Sequence, residues 1–211
     1  MIYKEKDIVR DVRVCLDQNM TDGQLLHAED SDTLTLDEII KSKITEGVRR
    51  VHSIAPARLL ERGHSFGDAV YWNDLESGHV LLPRDFMRLI IFEMSDWERP
   101  VTSAISDTEP AYALQRQRVK GLRGTAQKPV CVISERPEGS VLEFYSCKSK
   151  EAYVSRALYL PYPCIDRTGG VDISERCYTA AVYAIASLVA LTTGEGERAS
   201  AFSELSNTAL Q

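Results

Sequence analysis

The sequence lacks paired cysteines, long hydrophobic runs and an excess of positive charge, and each absence excludes a class of protein. Its five cysteines are an odd number without a Cys-x-x-Cys pair, which argues against a disulfide framework. The longest nearly uninterrupted apolar stretch, Tyr178 to Leu191, has 14 residues, fewer than the roughly 20 that cross a bilayer. The 211 residues carry 25 Lys and Arg against 31 Asp and Glu, so the net charge of −6 does not attract nucleic acid.

The first residues, Met-Ile-Tyr-Lys-Glu-Lys-Asp-Ile, place charges where a signal peptide has its apolar region. We therefore expect a chain that stays in the cytoplasm, without a membrane span and with free thiols. Cys15, Cys131 and Cys177 lie in apolar contexts, where a buried thiol acts as a small hydrophobic side chain.

No motif of the sequence indicates a catalytic, cofactor or metal site. The four histidines never reach the spacing of a helical zinc site, and there is no phosphate-binding Gly-rich loop of the Walker type. The nearest catalytic candidate is His64 with Asp68, four residues apart between Gly63 and Gly67. It lacks the nucleophile and oxyanion donors that acyl transfer requires. We expect no enzyme, and a hydrolase centred on His64 and Asp68 is the third hypothesis for function.

Helical periodicity marks the beginning of the chain. Apolar residues recur at helical spacing from Asp7 to Gln18, which predicts a short amphipathic helix. A polar, acidic stretch from Asn19 to Leu34 is typical of a surface loop. Thr35 and Glu38 then have the spacing of a capping box, which predicts a second helix that continues to Pro56.

Helical periodicity returns at the end of the chain. Asp172 and Glu175 stand in capping-box order, so a helix is predicted to begin there. The run from Tyr178 to Leu191 is apolar on nearly every face, and we expect it to form the centre of the core. A last helix is predicted from Arg198 to Leu210.

The middle of the chain is rich in strand patterns. The first block is predicted to contain strands at Ala69 to Trp72, Gly78 to Pro83 and Phe86 to Met94. The second block is predicted to be an antiparallel meander of Val130 to Ile133, Val141 to Tyr145 and Ala152 to Leu160. The chain is thus predicted to be one α+β domain over 1–211, helical over 1–62 and 172–211 and strand-rich over 69–163, with its terminal helices packed as a bundle.

One segment is strongly polarised. Between Glu109 and Glu135 there is no acidic residue, whereas five cations lie close together in this segment: Arg116, Arg118, Lys120, Arg123 and Lys128. Such a local positive potential suits an acidic protein partner or the DNA backbone, and a plain solvated loop is the other interpretation. No aromatic residue lies between Tyr112 and Phe144 to stack on bases, which argues against single-strand binding.

Two nearby segments carry a resemblance to a known family. They read Leu-Leu-Pro-Arg-Asp-Phe-Met-Arg-Leu over 81–89 and Trp-Glu-Arg-Pro-Val over 97–101. The pair resembles the L-P-x-D-F-x-R-L and W-x-R-P-V segments of tailed-bacteriophage head-to-tail connectors, the adaptor or neck-ring proteins. Lys128-Pro129-Val130, Tyr159 to Pro163 and Tyr183 to Ala186 follow in the order of that group, so the resemblance covers most of the chain.

The resemblance implies a structural virion protein of the phage neck. Copies would close into a ring of about twelve through heterologous contacts. The ring would bind the portal protein and adjacent neck or tail proteins, and would continue the channel through which double-stranded DNA leaves the head without sequence-specific binding. Assembly would take place in the cytoplasm of the host bacterium, and no cofactor or membrane is involved.

Trp97 and Arg99 are candidates for a contact between subunits, because both residue types are favoured at interfaces. The other interpretation places Trp97 in the core and Arg99 at the surface. A rival function for the whole chain is a small soluble interaction or regulatory protein that docks an acidic partner through residues 116–128. Such a protein would stay a monomer or dimer, whereas the neck protein forms a large ring.

Overall fold

The computed structural model describes residues 1–16, 34–60, 63–117, 119 and 122–211. Of the predicted connector from Asn19 to Leu34, only Leu34 is among the described residues. The chain divides into two compact units. Met1–Glu61 and Pro163–Gln211 form the first, named here the helical unit, and Arg62–Tyr162 form the second, named the β unit. The predicted α+β class, with helices from both ends of the chain and strands between them, is confirmed.

The elements are numbered along the chain. The helices are α1 (Glu5–Cys15), α2 (Leu36–Ile54), α3 (Pro110–Gln115), α4 (Tyr178–Thr192) and α5 (Gly196–Thr208). The strands are β1 (Ile2–Lys4), β2 (His64–Ser65), β3 (Tyr71–Trp72), β4 (Gly78–Leu81), β5 (Phe86–Met94), β6 (Ile105–Ser106), β7 (Cys131–Arg136), β8 (Gly139–Phe144), β9 (Val154–Pro161) and β10 (Gly170–Asp172).

The capping box in front of α2 is confirmed. The Glu38 N–H donates to Thr35 Oγ1 at 3.3 Å, and the Thr35 N–H donates to Glu38 Oε2 at 2.8 Å. These two bonds satisfy donors that the first turn leaves unpaired. The helix then buries one face along its length, which includes Ile40, Ile44 and Val48. The local sequence therefore sets where α2 begins and which side faces the core.

Helix α4 is the centre of the helical unit, as predicted. Ten of its 15 residues are buried, and α1, α2 and α5 all contact it. Two serine hydroxyls join it to α5: Ser187 Oγ donates to the carbonyl of Ala199 at 2.7 Å, and Ser206 Oγ donates to that of Ala180 at 2.8 Å. An apolar helix with short polar side chains can thus be covered on several sides without unpaired polar groups.

The predicted start of the helix at Asp172 is wrong. Asp172 ends β10, which pairs with β1, and its carboxylate accepts a hydrogen bond from the amino group of Met1 at 2.9 Å. A 3-10 turn over Glu175–Cys177 follows, and α4 begins only at Tyr178. The capping-box pattern misled because a distant strand competes for Asp172 through hydrogen bonds that local spacing does not reveal.

The β unit contains a three-stranded sheet in the order β2-β9-β5 and a five-stranded sheet in the order β3-β4-β8-β7-β6. Strands β7 and β8 form the predicted antiparallel hairpin, whose turn has Gly139 at φ 126°. Strand β9 does not continue this meander. The free edge of β8 is taken by β4, and β9 pairs with β5 and β2 in the other sheet.

Both sheets contribute side chains to one aromatic core. Phe92 of β5 is fully buried, and its ring centre lies 5.7 Å from that of Trp97, 6.0 Å from that of Phe66 and 6.1 Å from that of Phe144. Such distances are typical of packed aromatic pairs. The core therefore holds the two sheets together through large rings.

The chain turns sharply before β5. The Phe86 N–H donates to the carbonyl of Pro83 at 3.0 Å, and the Phe86 ring stacks on that of Tyr159 at 5.7 Å, so Phe86 anchors the strand. The Asp85 side chain accepts a hydrogen bond from the Tyr159 hydroxyl at 2.9 Å, because β9 brings that tyrosine alongside.

The five cysteines are free thiols, as predicted. Cys131, Cys147 and Cys177 are buried, Cys15 is partly buried and Cys164 is exposed. Within the described ranges, no helix is both long and apolar enough to cross a membrane.

Replacing Gly47 with Ala tests the close contact between α2 and α4. A Cβ atom at Gly47 would lie 2.5 Å from Ile185 Cγ1 and 3.2 Å from Ile185 Cα, so the helices would have to move apart. We expect the free energy of unfolding to fall by about 1–3 kcal/mol, as for other overpacked sites. The measurement is chemical denaturation followed by far-UV circular dichroism.

The matched control is Gly196→Ala at the start of α5, where an added methyl group meets no atom within 4 Å. This control is expected to leave stability unchanged or slightly higher, because Ala favours helix over Gly. Equal stability of the two variants would contradict the close contact.

Candidate functional site

The basic segment, residues 116–128, begins at the end of a short helix. Pro110 starts α3, where its missing N–H costs no hydrogen bond. Arg116 follows the last residue of α3, and its guanidinium lies 5.6 Å from the centre of the Tyr112 ring. Arg116 is exposed, and 46% of Leu114 is exposed as well. The end of α3 therefore presents a cation beside an apolar side chain.

The second half of the segment is anchored in the β unit. The buried Gly124 N–H donates to Oε1 of Gln115 at 2.8 Å. Arg123 forms an ion pair with Glu76, and only 15% of the Arg123 side chain is exposed. Thr125 and Lys128 exchange backbone hydrogen bonds of 3.1 and 2.9 Å, which close a tight turn. These contacts hold the two ends of the segment against the same unit.

The five predicted contact cations are therefore not equivalent. Arg116 and Lys128 are exposed, and neither forms an ion pair with another described residue. The charge of Arg123 is compensated by Glu76, so it adds little to the positive potential. Arg118 and Lys120 lie outside the described residues. Contact of this segment with a partner or with DNA stays a prediction.

A cleft of about 450 Å³ lies beside the anchored half of the segment. The charged residues of its lining are of both signs: Glu76 and Glu98 are acidic, and Arg123 and Lys148 are basic. Such a lining favours neither a polyanion such as DNA nor a polycation. The remaining lining residues are Gly124, Thr125, Ala126, Gln127, Tyr145, Ser146 and Cys147.

Cys147 lines this cleft, but its thiol is held in the protonated form. Burial, reinforced by the neighbouring Asp96 carboxylate, raises the pKa of Cys147 to about 12. Because the thiolate is the reactive species, Cys147 is a weak nucleophile at neutral pH.

A buried carboxylate, Glu143 of β8, organises a polar network on the five-stranded sheet. Only 5% of Glu143 is exposed. Its Oε1 accepts from Ser134 Oγ at 2.8 Å and from Arg136 Nη2 at 2.7 Å, and its Oε2 accepts from the Tyr145 hydroxyl. Burial opposes ionisation of this carboxyl, but the three hydrogen bonds outweigh it and hold the pKa of Glu143 below its usual value.

Arg136 connects this carboxylate to His79, which stands opposite Glu143 on β4. Arg136 Nη1 lies 3.1 Å from His79 Nδ1, and the Tyr71 ring stacks on the imidazole at 5.3 Å. Burial and the positive charge of Arg136 lower the pKa of His79, so the neutral ring can accept this hydrogen bond. Because both carboxylate oxygens are engaged, the network joins β4, β7 and β8 and presents no free reactive group.

Sequence reasoning missed this network. In Val141-Leu142-Glu143-Phe144-Tyr145 the glutamate has the position of a solvent-facing residue in an alternating strand. The available signal was Ser134 and Arg136, two residues apart on β7 and hence on one face of the sheet. Only the register of β7 against β8 places them beside the carboxylate.

Trp97 lies in the core of the β unit, with 7% of its surface exposed, and Arg99 is exposed. This placement agrees with the interpretation of a core tryptophan and a surface arginine, and leaves Trp97 little surface to offer a neighbouring chain. A contact between subunits at Arg99 stays a prediction.

Within the described residues, no hydrogen bond or ion pair joins His64 to Asp68. His64 stands edge-on to Tyr159, with ring centres 5.7 Å apart. Asp68 borders a cavity of about 330 Å³ whose lining does not include His64. Among the residues that the structure describes, no group of three His, Cys, Asp or Glu side chains could hold a metal ion.

No family profile matches the chain, and no curated protein is significantly similar to it.

Replacing Glu143 with Ala tests the network. We expect the free energy of unfolding to fall by about 2–4 kcal/mol, because Arg136 and Tyr145 lose a buried acceptor. The control is Glu138→Ala at an exposed position in the turn between β7 and β8, expected to change stability by less than about 0.5 kcal/mol. If both variants lost the same free energy of unfolding in urea denaturation, that result would contradict the role of Glu143.

The same carboxyl predicts a pH dependence. Glu143 binds its proton more weakly in the folded chain than in the unfolded chain, whose carboxyl has a pKa near 4.5. Its stabilising effect is therefore complete above that value and is lost as the pH falls through the lower folded-state pKa. We expect Glu143→Gln to flatten the acid limb of stability against pH, measured by denaturation at successive pH values. An unchanged acid limb would contradict the lowered pKa.

Proposed function

We propose that this chain is a structural ring protein of a tailed-bacteriophage neck, which joins the portal to the tail and continues the channel for DNA exit. The resemblance to connector proteins over 81–89 and 97–101 supports this proposal. Those segments lead into β5 and place Trp97 beside Phe92, so they occupy the central strand-and-core region of the β unit. The order of helices, strands and helices along the chain also agrees with the resemblance.

The observation that carries the proposal is the uneven distribution of charge. By sequence, the helical unit contains 12 Lys and Arg against 18 Asp and Glu, whereas the β unit contains 13 of each. The whole net charge of −6 therefore belongs to one unit. The negative balance suits a channel that must release DNA.

Exposed apolar side chains give further support. Ile2 and Ile54 in the helical unit are 68% and 58% exposed, and Leu75 and Tyr153 in the β unit are 68% and 66% exposed. Single exposed apolar residues are ordinary. Their presence on both units offers apolar area that association could bury.

The rival function is a soluble interaction protein that docks an acidic partner through the basic segment. The exposed Arg116 and Lys128 favour it, because neither forms an ion pair with another residue that the structure describes. It differs from the neck proposal in requiring no ring.

The test is the oligomeric state of the full chain, alone and mixed with the portal protein of the same genome. We expect ring-shaped particles in negative-stain electron microscopy, and a matching mass in size-exclusion chromatography with light scattering. A monomer or dimer under both conditions, without co-elution with portal, would overturn the neck proposal.

A further inference from the structure

The cavity of about 330 Å³ beside Asp68 lies within the β unit and is named here the Asp68 pocket. Its volume is within the range of small-molecule sites. The described residues that line it are Ser65, Phe66, Gly67, Asp68, Ala69, Tyr71, Leu81, Leu82 and Pro83. The lining therefore comes from the segment between β2 and β3, from β3 itself, and from the end of β4 with the two residues that follow it.

Backbone hydrogen bonds hold these segments in place. The Phe66 N–H donates to the carbonyl of Ala157 at 3.4 Å, and the Leu82 N–H donates to that of Ser140 at 2.9 Å. Tyr71 belongs to β3, which pairs with β4. The wall of the pocket is thus formed before any ligand arrives, which lowers the free-energy cost of binding.

Most of this wall is apolar. Tyr71 stands opposite His79 on β4, and Leu81 is two residues beyond His79, so Tyr71 and Leu81 lie on one face of the sheet. Of these two side chains, 47% and 40% are exposed. Phe66 adds a buried ring, with 7% of its surface exposed. An aliphatic chain in the pocket would remove part of this apolar surface from water.

The charge of the described lining comes from Asp68. Asp68 is exposed, and it has no hydrogen bond or ion pair with another described residue. Arg84 follows Pro83 in the sequence but is not among the described residues of the lining. An anionic ligand would therefore meet a carboxylate without a compensating cation, whereas a cation would meet a partner.

The surroundings of Tyr71 also suit a cation. The imidazole of His79, which stacks on the Tyr71 ring at 5.3 Å, has a lowered pKa and is neutral near pH 7. Arg136 contacts that imidazole, but its charge is compensated by Glu143 at 2.7 Å. A cation over the Tyr71 ring would therefore gain the attraction of an aromatic face without a strong opposing charge.

We propose that the Asp68 pocket binds a primary ammonium group carried on an unbranched aliphatic chain. The ammonium group, which has donors and no acceptor, donates to the Asp68 carboxylate beside the Tyr71 ring. The aliphatic chain lies along Leu81 and Leu82. Two sources offer this chemistry: a free alkylamine and the side chain of a lysine. The proposal does not depend on the neck function, because one copy of the chain contains the whole pocket.

The test is a titration of the ¹⁵N-labelled full chain with three ligands of similar length, followed by amide chemical shifts in NMR. The ligands are n-pentylamine, 1-pentanol and pentanoate, which are cationic, neutral and anionic near pH 7. We expect n-pentylamine to bind at least about 10-fold more tightly than 1-pentanol, because its hydrogen bond to Asp68 is charge-assisted. Pentanoate is expected to bind more weakly than either. The shifts should saturate at the amides of the lining residues, and added salt should weaken the binding of the amine.

Replacing Asp68 with Asn removes the charge and keeps the size of the side chain. We expect this variant to bind n-pentylamine roughly 10-fold more weakly and 1-pentanol as before. Asp68→Glu retains the carboxylate and is expected to retain binding of the amine. The matched control is Glu151→Gln, which removes one negative charge from an exposed position of the same unit and is expected to bind the amine normally. The amide spectrum of each variant reports whether its fold is intact.

Replacing Tyr71 with Leu tests the aromatic ring separately. Leucine keeps an apolar side chain at this exposed position and removes the aromatic face. We expect the affinity for n-pentylamine to fall by roughly 3-fold, as for an exposed cation–π contact, and the affinity for 1-pentanol to stay nearly the same.

Three outcomes would overturn the proposal: equal affinity for n-pentylamine and 1-pentanol, unchanged amine affinity in Asp68→Asn, or no saturable shift at the lining residues with any amine. A further titration with Nα-acetyl-L-lysine methylamide separates the two sources. Binding at least as tight as that of n-pentylamine assigns the pocket to a lysine side chain, and weaker binding assigns it to a free alkylamine.

Discussion

The enclosure of α4 is the constraint on which the helical unit depends. A helix that is apolar on nearly every side must be covered by several neighbours, and α1, α2 and α5 contact it. Because α1 and α2 come from the beginning of the chain and α5 from the end, residues 62–162 form an excursion between two parts of the same unit. The apolar run of α4 thus accounts for the division of the sequence into a split helical unit and a continuous β unit.

The β unit is subject to a different constraint, because its five-stranded sheet buries the carboxylate of Glu143. Glu143 is tolerated since Arg136, Ser134 and Tyr145 replace the water that ionisation requires. The same arrangement ties three strands together through side chains as well as through their backbones. Near it, the basic segment is secured by Gln115 and Glu76, so that only part of its positive charge remains at the surface. Within the β unit, the Glu143 carboxylate is thus buried, whereas the exposed charges of the basic segment lie at the surface.

Features with local causes could be predicted from the sequence. Thr35 and Glu38 mark the start of α2 through hydrogen bonds between residues three apart. The bounds of β5 match the predicted Phe86 to Met94. Features that depend on distant partners could not. Asp172 belongs to a strand whose partner is at the other end of the chain, and β9 leaves the expected meander because β4 occupies the edge of β8. The Glu143 network required the register of two strands, and the pairing of Arg123 required a glutamate 47 residues away.

The placement of the β unit within the chain has a consequence for synthesis on the ribosome. Residues 62–162 are translated as one uninterrupted stretch, whereas α1 and α2 must wait for α4 and α5, which emerge last. The first two helices therefore leave the exit tunnel without the neighbour that covers their apolar faces. The β unit can therefore fold while the residues at the amino terminus, although translated first, still lack their packing partners. This order differs from folding that proceeds from the amino terminus onward.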